Sequence, residues 1–175
     1  MKIINLNGDY EEVLKAINNL FNVAISRHNK ILFIRFDLTF NLNSDYPNDN
    51  SLLSRFMEAF TLHCKRLGLD PLYLWVREQV SSINHHYHVI LLLDGNKIQN
   101  PYEIFIKATN LWGNCLNTNA AGLVNYGSHI MIRRNAVGFD NSYHEALNLS
   151  RYLAKSYSKG AAPKGVREMG MSNLF

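Results

Sequence analysis

Apolar residues recur along this chain at two spacings, one typical of helices and the other of strands. In DYEEVLKAINNLFNVAISRHNK they fall at helical spacing behind Asp9, which predicts a first helix with Asp9 as its cap. ILFIRFDLTF is too short for a helix, alternates apolar with polar residues and is rich in β-branched and aromatic side chains. It predicts a strand with one partly polar face, which carries Arg35, Asp37 and Thr39.

The middle of the chain predicts a crossing helix and then a hairpin. LLSRFMEAFTLHCKRLG has helical periodicity, with Asn50 or Ser51 as its cap and Gly68 at its end. PLYLWVREQV and HHYHVILLL are both strand-like and are joined by a short link. A symmetric hairpin across that link sets Glu78 opposite His86.

The final third predicts two helices around a pair of strands. PYEIFIKATNLWGNCL predicts a helix with Pro101 at its favoured first position, and NSYHEALNLSRYLAKSY predicts the last helix. GLVNYGSHIMIRRN predicts two strands broken near Gly127. The glycine-rich tail that follows lacks the periodicity for an assignment. This order of elements predicts an α+β fold with helices packed on an antiparallel sheet.

Length and composition predict one soluble domain. A chain of 175 residues with 47% apolar and 18% charged residues suits a single domain with a substantial core. No apolar run approaches the roughly 20 residues that span a bilayer, and the first residues lack a signal-peptide core. We therefore expect a cytoplasmic protein without a membrane partner. Cys64 and Cys115 are far apart and indicate neither a disulfide framework nor a cysteine zinc site.

Three histidines precede the most apolar run of the chain. Side chains alternate between the faces of a strand, so His86 and His88 point the same way, while His85 falls on the wrong face and belongs to the preceding loop. An H-x-H pair suits one divalent ion, and Glu78 is the candidate third ligand. The alternatives are a solvated strand start for the histidines and an ion pair with a nearby arginine for Glu78.

The last predicted helix carries a tyrosine and a lysine three residues apart. Tyr152 and Lys155 share a helix face, with Asn148 one turn earlier. A phenol is a poor nucleophile at neutral pH, but a neighbouring ammonium and a metal-polarised phosphate favour attack by its oxyanion. Tyr157 lies about 140° further around the helix and is not a second nucleophile on that face. Y-x-x-K also occurs in amphipathic helices that carry no chemistry.

Together, Glu78, the H-x-H strand and the later Y-x-x-K resemble the HUH endonuclease superfamily. LYLWVREQ, HHYHVILLL and RYLAKSYSK, with LFIRFDLTF upstream and REMGMS downstream, look like the inovirus-type replication protein family, which includes the YagK/YfjJ-type C-terminal domain. The resemblance covers roughly residues 30–172. It implies one HUH domain over residues 1–175, with its core at about 30–158 and a basic C-terminal tail at 159–175. The implied sheet is RRM-like or ferredoxin-like, antiparallel, with about five strands and helices packed on it.

The resemblance implies a rolling-circle replication initiator that nicks single-stranded DNA. His86, His88 and Glu78 would hold Mg²⁺ or Mn²⁺. Tyr152 would attack the scissile phosphate, giving a 5′-phosphotyrosine link and a free 3′-hydroxyl that allow later religation, and Lys155 would stabilise the charge. The implied partners are hairpin-associated origin DNA, a host or phage helicase and a polymerase. The sequence shows no helicase segment and no second tyrosine on that face, so termination would use a second protomer.

Basic residues complete the expected site. The net charge of +4 and the pI near 9.1 are compatible with a polyanionic partner. The candidate DNA-binding residues are Arg133, Arg134, Lys159, Lys164 and Arg167, and the alternative is a solvated basic surface. Two other functions stay open. One is a single-tyrosine HUH transposase, and the other is a non-catalytic RRM-like nucleic-acid-binding or regulatory protein of a phage or prophage, which would need neither metal nor Tyr152.

Overall fold

A computed structural model describes residues 4, 8–42, 45–79, 84–155 and 162–175 of the chain. In chain order the elements are α1 Glu11–Arg27, β1 Lys30–Leu38, α2 Ser51–Arg66, β2 Leu72–Glu78, β3 His86–Asp94, α3 Tyr102–Leu116, β4 Val124–Arg133, α4 Phe139–Arg151, a 3₁₀ turn Tyr152–Ala154 and β5 Met169–Met171. Among these residues, no helix combines the length and the apolar character needed to cross a membrane.

The strands form one antiparallel sheet in the order β4-β1-β3-β2-β5. From β1 to β4 the chain runs strand, helix, strand, strand, helix, strand, which is the ferredoxin-like succession. The crossing helix and the β2–β3 hairpin lie where the periodicity predicts them. The predicted α+β fold, with about five antiparallel strands and helices packed on the sheet, is confirmed.

Helices cover both faces of the sheet, and the alternation of the strands sorts the apolar side chains into two layers. One layer joins the sheet to α2 and α3 and includes Phe36, Phe60 and Trp112. The other joins the sheet to α1 and α4 and includes Phe33 and Ile90. Burial of each such side chain contributes about 1.5–3 kcal/mol, so both layers hold the sheet in place. The face of the sheet that packs against α1 and α4 is called the α1/α4 face.

The predicted break near Gly127 is wrong, because β4 is one continuous strand of ten residues. Ile34 pairs with His129 and Phe36 pairs with Tyr126, so two β4 residues lie opposite Arg35. This is a β-bulge. A Cβ on Gly127 would lie 3.1 Å from the Arg35 carbonyl oxygen, which explains why a glycine occupies the bulge.

The starts of α1 and α3 are each shifted by one residue from their predicted positions. Tyr10 is the N-cap of α1, so the prediction that Asp9 caps this helix is wrong. Asp9 is buried instead, with its carboxylate 3.1 Å from the Lys155 ammonium. In α3, Pro101 is the N-cap and Tyr102 is the first helical residue, so this helix begins one residue later than predicted.

Both predicted ends of α2 are close to those observed. Asn50 is the N-cap residue, although its side chain makes no capping hydrogen bond, and Ser51 is the first helical residue. Gly68 adopts φ +69°, and the Leu69 N–H donates to the Cys64 carbonyl at 3.0 Å. This is a Schellman ending, which a glycine adopts without steric cost.

The segment that the sequence leaves unassigned supplies the fifth strand. Met169–Met171 pairs with β2 at the edge of the sheet, with Gly170 opposite Trp75. The expected strand count is therefore right, but its fifth member comes from the tail and not from a break in β4. Three residues with a central glycine carry too little periodicity to be recognised as a strand.

Replacing Gly170 with Ala is expected to destabilise the protein by about 1–3 kcal/mol. An added Cβ would lie 2.5 Å from the Trp75 indole, which is buried and packs edge-on against Tyr87. Urea denaturation followed by tryptophan fluorescence measures the loss. Gly138→Ala is the matched control, because a Cβ there meets no atom within 4 Å among the described residues. Equal stability of the two variants would show that β5 is not tightly packed.

Candidate metal centre

The sheet brings the predicted ligands together at one end of the α1/α4 face. Glu78 pairs with His86 and Val76 pairs with His88, so the predicted hairpin register is confirmed. The hairpin link, residues 80–83, lies outside the described residues. Further along the same face the side chains are apolar and buried under α1 and α4. The polar centre therefore begins where the hydrophobic layer ends.

The three ligand side chains converge. His88 Nε2 donates to Glu78 Oε2 at 2.8 Å, and His86 Nε2 lies 3.9 Å from Glu78 Oε1. One ligand atom from each residue lies within 4.8 Å of the others, and this is the one such group found among the described residues. Glu78 and His88 are buried, whereas His86 is partly exposed. The centre therefore faces solvent on the His86 side.

A second carboxylate holds the other nitrogen of His88. Asp37 pairs with His88 across β1 and β3, and its Oδ1 lies 2.6 Å from His88 Nδ1. A carboxylate behind a metal-ligating histidine fixes the ring orientation and the tautomer. From the sequence, Asp37 is predicted on the polar face of β1, where it would either line the site or pair locally. The missing information was the register of β1 against β3, which no local pattern encodes.

The environment of His88 favours a proton or a cation on its ring. Burial lowers the pKa of His88, but hydrogen bonds to Asp37 and Glu78 and the charges of both carboxylates outweigh it, so the pKa is raised above 6.5. A raised pKa means that the folded chain binds this proton more tightly than the unfolded chain. Its contribution to stability is complete below pH 6.5 and is lost as pH rises through the raised pKa.

The donor set fits a divalent first-row ion. Two imidazoles and one carboxylate converge, and Asp37 orients one of the imidazoles. Nitrogen ligands suit Mn²⁺ better than Mg²⁺, which prefers an all-oxygen shell. Of the two ions that the sequence suggests, the arrangement favours Mn²⁺.

His85 does not belong to this group, as predicted. Its ring packs against Phe40 and Tyr87, which belong to the layer under α2 and α3. Burial, together with the nearby Arg77 and His86, lowers the pKa of His85 to about 4. This histidine is therefore neutral at physiological pH.

Buried polar side chains stiffen the strands behind the centre. Arg77 and Tyr87 are buried on the opposite face of the sheet. Arg77 Nη1 donates to the Asp49 carbonyl at 3.3 Å, and the Tyr87 hydroxyl donates to Asn50 Oδ1 at 3.0 Å. These bonds tie the loop before α2 to both strands that carry the ligands.

Tyr152 lies beside the candidate metal centre. It follows the last residue of α4 and opens the 3₁₀ turn. Its ring meets the His88 ring edge-on, with centroids 5.7 Å apart, and the Arg35 guanidinium carbon lies 4.9 Å from its ring centroid. The side chain is 40% exposed, so a solvent-borne substrate can reach it.

The last helix is shorter than predicted, because α4 ends at Arg151 and a 3₁₀ turn follows it. Lys155 still lies one turn after Tyr152, and its N–H donates to the Tyr152 carbonyl at 3.3 Å. The backbone leaves the helical region at Lys155, with ψ 127°, and the residue forms an isolated bridge with Asp9. The Tyr10 N–H donates to the Ala154 carbonyl at 2.8 Å, which fixes this exit. Lys155 pairs with the buried Asp9 carboxylate, and both residues line the same recess as Tyr152.

Two adjoining recesses of mixed polar and apolar lining form a groove along α4 beside Tyr152. A recess of about 510 Å³ contains Asn148, Arg151 and Tyr152, and an adjoining recess of about 290 Å³ contains Asn18 and His144. The two recesses share Asn148 and Arg151. Leu14, Ile17 and Leu147 supply apolar lining to the second recess, and Asp9 and Lys155 complete the first. Arg151 is therefore the cation that both recesses share.

The predicted DNA-binding arginines of β4 are distant from this centre. Lys30 pairs with Arg133, whereas Asp37 pairs with Asn125, so Arg133 lies roughly 23 Å from the centre along β1. Arg134 follows directly, and its Nη1 donates to the Ile25 carbonyl at 2.9 Å. Neither arginine is brought to the metal centre.

Of the predicted DNA-binding residues of the C-terminal tail, Lys164 and Arg167 lie in described parts of the chain. The Arg77 N–H donates to the Glu168 carbonyl at 2.8 Å, which places the exposed Arg167 at the end of β2 that carries Glu78. Lys164 is exposed in a turn. Lys159 lies outside the described residues.

Comparison with known families adds an independent finding. Residues 1–172 match the model of the YagK/YfjJ C-terminal domain. The chain belongs to the YagK/YfjJ C-terminal domain family. No curated protein and no solved structure matches it. The family name states no reaction, and the side chains of this YagK/YfjJ domain carry the information on its chemistry.

Proposed function

We propose that this member of the YagK/YfjJ family is a metal-dependent HUH endonuclease that nicks single-stranded DNA through Tyr152 and initiates rolling-circle replication. One observation carries the proposal. The Tyr152 ring contacts His88, which belongs to a convergent group of two imidazoles and a carboxylate. A phenol beside a metal centre is the arrangement that transfer of a phosphodiester to tyrosine requires.

The proposed reaction is a transesterification without water. Mn²⁺ or Mg²⁺ bound by Glu78, His86 and His88 would draw charge from a nonbridging phosphate oxygen. The Tyr152 oxygen gives up its proton and bonds to phosphorus, while the bond from phosphorus to the 3′-oxygen breaks and that oxygen takes up a proton. The products are a 5′-phosphotyrosyl strand and a free 3′-hydroxyl. Reversal restores the phosphodiester, because the bond count is unchanged.

The other residues have positioning roles. Asp37 holds the His88 ring so that its second nitrogen faces Glu78. The groove along α4 would bind the backbone of the strand, with Arg151 supplying charge next to the nucleophile. The 3₁₀ turn after α4 would hold the phenol for in-line attack on a bound phosphate, and such positioning is a large part of catalysis in these transfers.

The proposed partners follow from the products. A free 3′-hydroxyl is the substrate of a polymerase, and a strand that is peeled away needs a host or phage helicase. An origin nick site in a hairpin loop would present single-stranded DNA to the groove. Termination would use Tyr152 of a second protomer, because no second tyrosine is predicted on the same face.

The decisive experiment is adduct formation by the native chain. The purified protein is incubated with 5′- and 3′-labelled single-stranded oligonucleotides that tile the replicon carrying its gene, with manganese or with EDTA. We expect one oligonucleotide to give a denaturation-resistant complex that retains the 3′ label, with manganese alone. If no oligonucleotide of the complete set gives a covalent complex, the nuclease function is excluded and a non-catalytic nucleic-acid-binding protein is favoured. Joining of the strand to unrelated DNA would indicate a transposase.

Replacing Asp37 with Asn is expected to weaken Mn²⁺ binding by roughly 10–100-fold. The amide keeps the shape of Asp37 but removes the charge that the His88 ring contacts at 2.6 Å. Isothermal titration calorimetry with manganese chloride measures the loss. Asp140→Asn is the control, since Asp140 lies in the first turn of α4 and is not part of the ligand group. If both variants bind Mn²⁺ with equal affinity, Asp37 does not orient His88 for the metal.

A further inference from the structure

Arg35 lies near the candidate metal centre, and the sequence motifs assign it no role. It lies on β1 two residues before Asp37, so both side chains project from the α1/α4 face. Its guanidinium carbon is 4.9 Å from the centroid of the Tyr152 ring. This distance is within the range of a cation–π contact.

The β4 bulge lies directly opposite Arg35. Two residues of β4, Gly127 and Ser128, face this one position of β1. A Cβ on Gly127 would lie 3.6 Å from Arg35 Cγ, which is ordinary van der Waals contact, and 3.1 Å from the Arg35 carbonyl oxygen, which is the tighter approach. Bulges beside functional sites re-aim a neighbouring side chain, and here the bulge leaves room for the arginine beside the tyrosine.

The positive charge of Arg35 is not matched by an acidic partner. Among the described residues no carboxylate lies within 4.0 Å of its guanidinium, and its buried Nε has no hydrogen-bond partner. The nearest acid along the strand, Asp37, is taken by His88. A partly buried guanidinium in this state favours an anionic ligand, because burial without a partner is unfavourable.

Lys155 differs from Arg35 because it has an acidic partner. Its ammonium lies 3.1 Å from Asp9 Oδ1, and that carboxylate is buried. Much of the lysine charge is therefore balanced inside the protein. Among the described residues, Arg35 has its guanidinium carbon 4.9 Å from the centroid of the Tyr152 ring.

We infer that Arg35 binds a phosphate of the substrate strand beside the metal centre and holds the Tyr152 ring in position for attack. The inference rests on the proposed function and assigns a positioning residue to it. A guanidinium stacks on an aromatic ring with its flat face while its N–H edge donates to a phosphate. A lysine ammonium supplies the charge but not this flat geometry.

The first test measures binding without chemistry. In a Tyr152→Phe background with manganese, a fluorescein-labelled mixed-sequence 30-mer is titrated by anisotropy over a salt series. Arg35→Gln is expected to lower the slope of log affinity against log salt by about 0.7, the value of one lost phosphate contact on a single strand. Arg66→Gln, an exposed arginine of α2, is the matched control. Identical slopes for the two variants would overturn the phosphate contact.

The second test separates charge from geometry. On an oligonucleotide that forms the adduct, Arg35→Lys is expected to keep the wild-type salt slope. Its single-turnover rate at saturating DNA should nevertheless fall roughly 10²-fold, the scale of one lost contact to the reacting group. A wild-type rate in Arg35→Lys would overturn the positioning role of Arg35. If Arg35→Gln fails to fold, the rate of Arg35→Lys tests that role by itself. If the native chain forms no adduct, the nuclease proposal fails, while the salt slopes still decide whether Arg35 binds phosphate.

Discussion

Replacing Tyr152 with Phe is expected to abolish the covalent protein–DNA complex and to leave DNA binding largely intact. The change removes one oxygen and keeps the ring, so the contacts with His88 and Arg35 remain. The lost oxygen is the atom that would bond to phosphorus, and no neighbouring group replaces it in the proposed reaction. Denaturing gels of labelled DNA measure the complex, and anisotropy measures binding.

The matched control for this variant is Tyr102→Phe. Tyr102 lies at the start of α3 and is 63% exposed, so removal of its hydroxyl should change neither reading. A covalent complex that persists in Tyr152→Phe would assign the nucleophile to another tyrosine. Tyr157, which lies outside the described residues, would be the first to test.

Replacing His88 with Ala is expected to eliminate manganese-dependent nicking. His88 contacts Glu78, Asp37 and the Tyr152 ring, so its loss breaks the ligand group and the contact between that group and the nucleophile. Manganese affinity should fall by more than the roughly 10–100-fold that loss of an orienting partner costs. Calorimetric titration with manganese and the adduct assay are the two measurements.

His63→Ala provides the comparison for His88. His63 lies on α2, in the helix layer on the other side of the sheet, and is not part of the ligand group. It should bind manganese and form the complex as the wild type does. If His88→Ala titrates with manganese like His63→Ala, the metal lies elsewhere and the proposed centre is wrong.

Local sequence pattern was sufficient to predict the part of the candidate centre that lies on the β2–β3 hairpin. Strand alternation places His86 and His88 on one face, and a short link between two strands fixes Glu78 opposite His86. The helices and strands around this hairpin have clear periods and were predicted from them. The tyrosine was predicted to lie near the histidines through resemblance, because no spacing rule connects a strand with a helix that follows some sixty residues later.

The remaining features of the centre depend on contacts between distant segments. Asp37 meets His88 through the register of β1 on β3, and Arg35 lies opposite a bulge in β4. The last helix was expected to extend through Lys155, but α4 ends at Arg151 and Lys155 pairs with Asp9. In each case the deciding partner lies far away in the sequence.

The most direct test of the account is to locate the nucleotide on the protein. After reaction with manganese and the active oligonucleotide, nuclease and trypsin digestion should release the peptide Tyr152–Lys155, which trypsin frees by cleaving after Arg151 and Lys155. The account predicts a mass shift of this peptide by a 5′-linked nucleotide, with fragment ions that assign it to Tyr152. A nucleotide on any other residue, with this peptide unmodified, would contradict it.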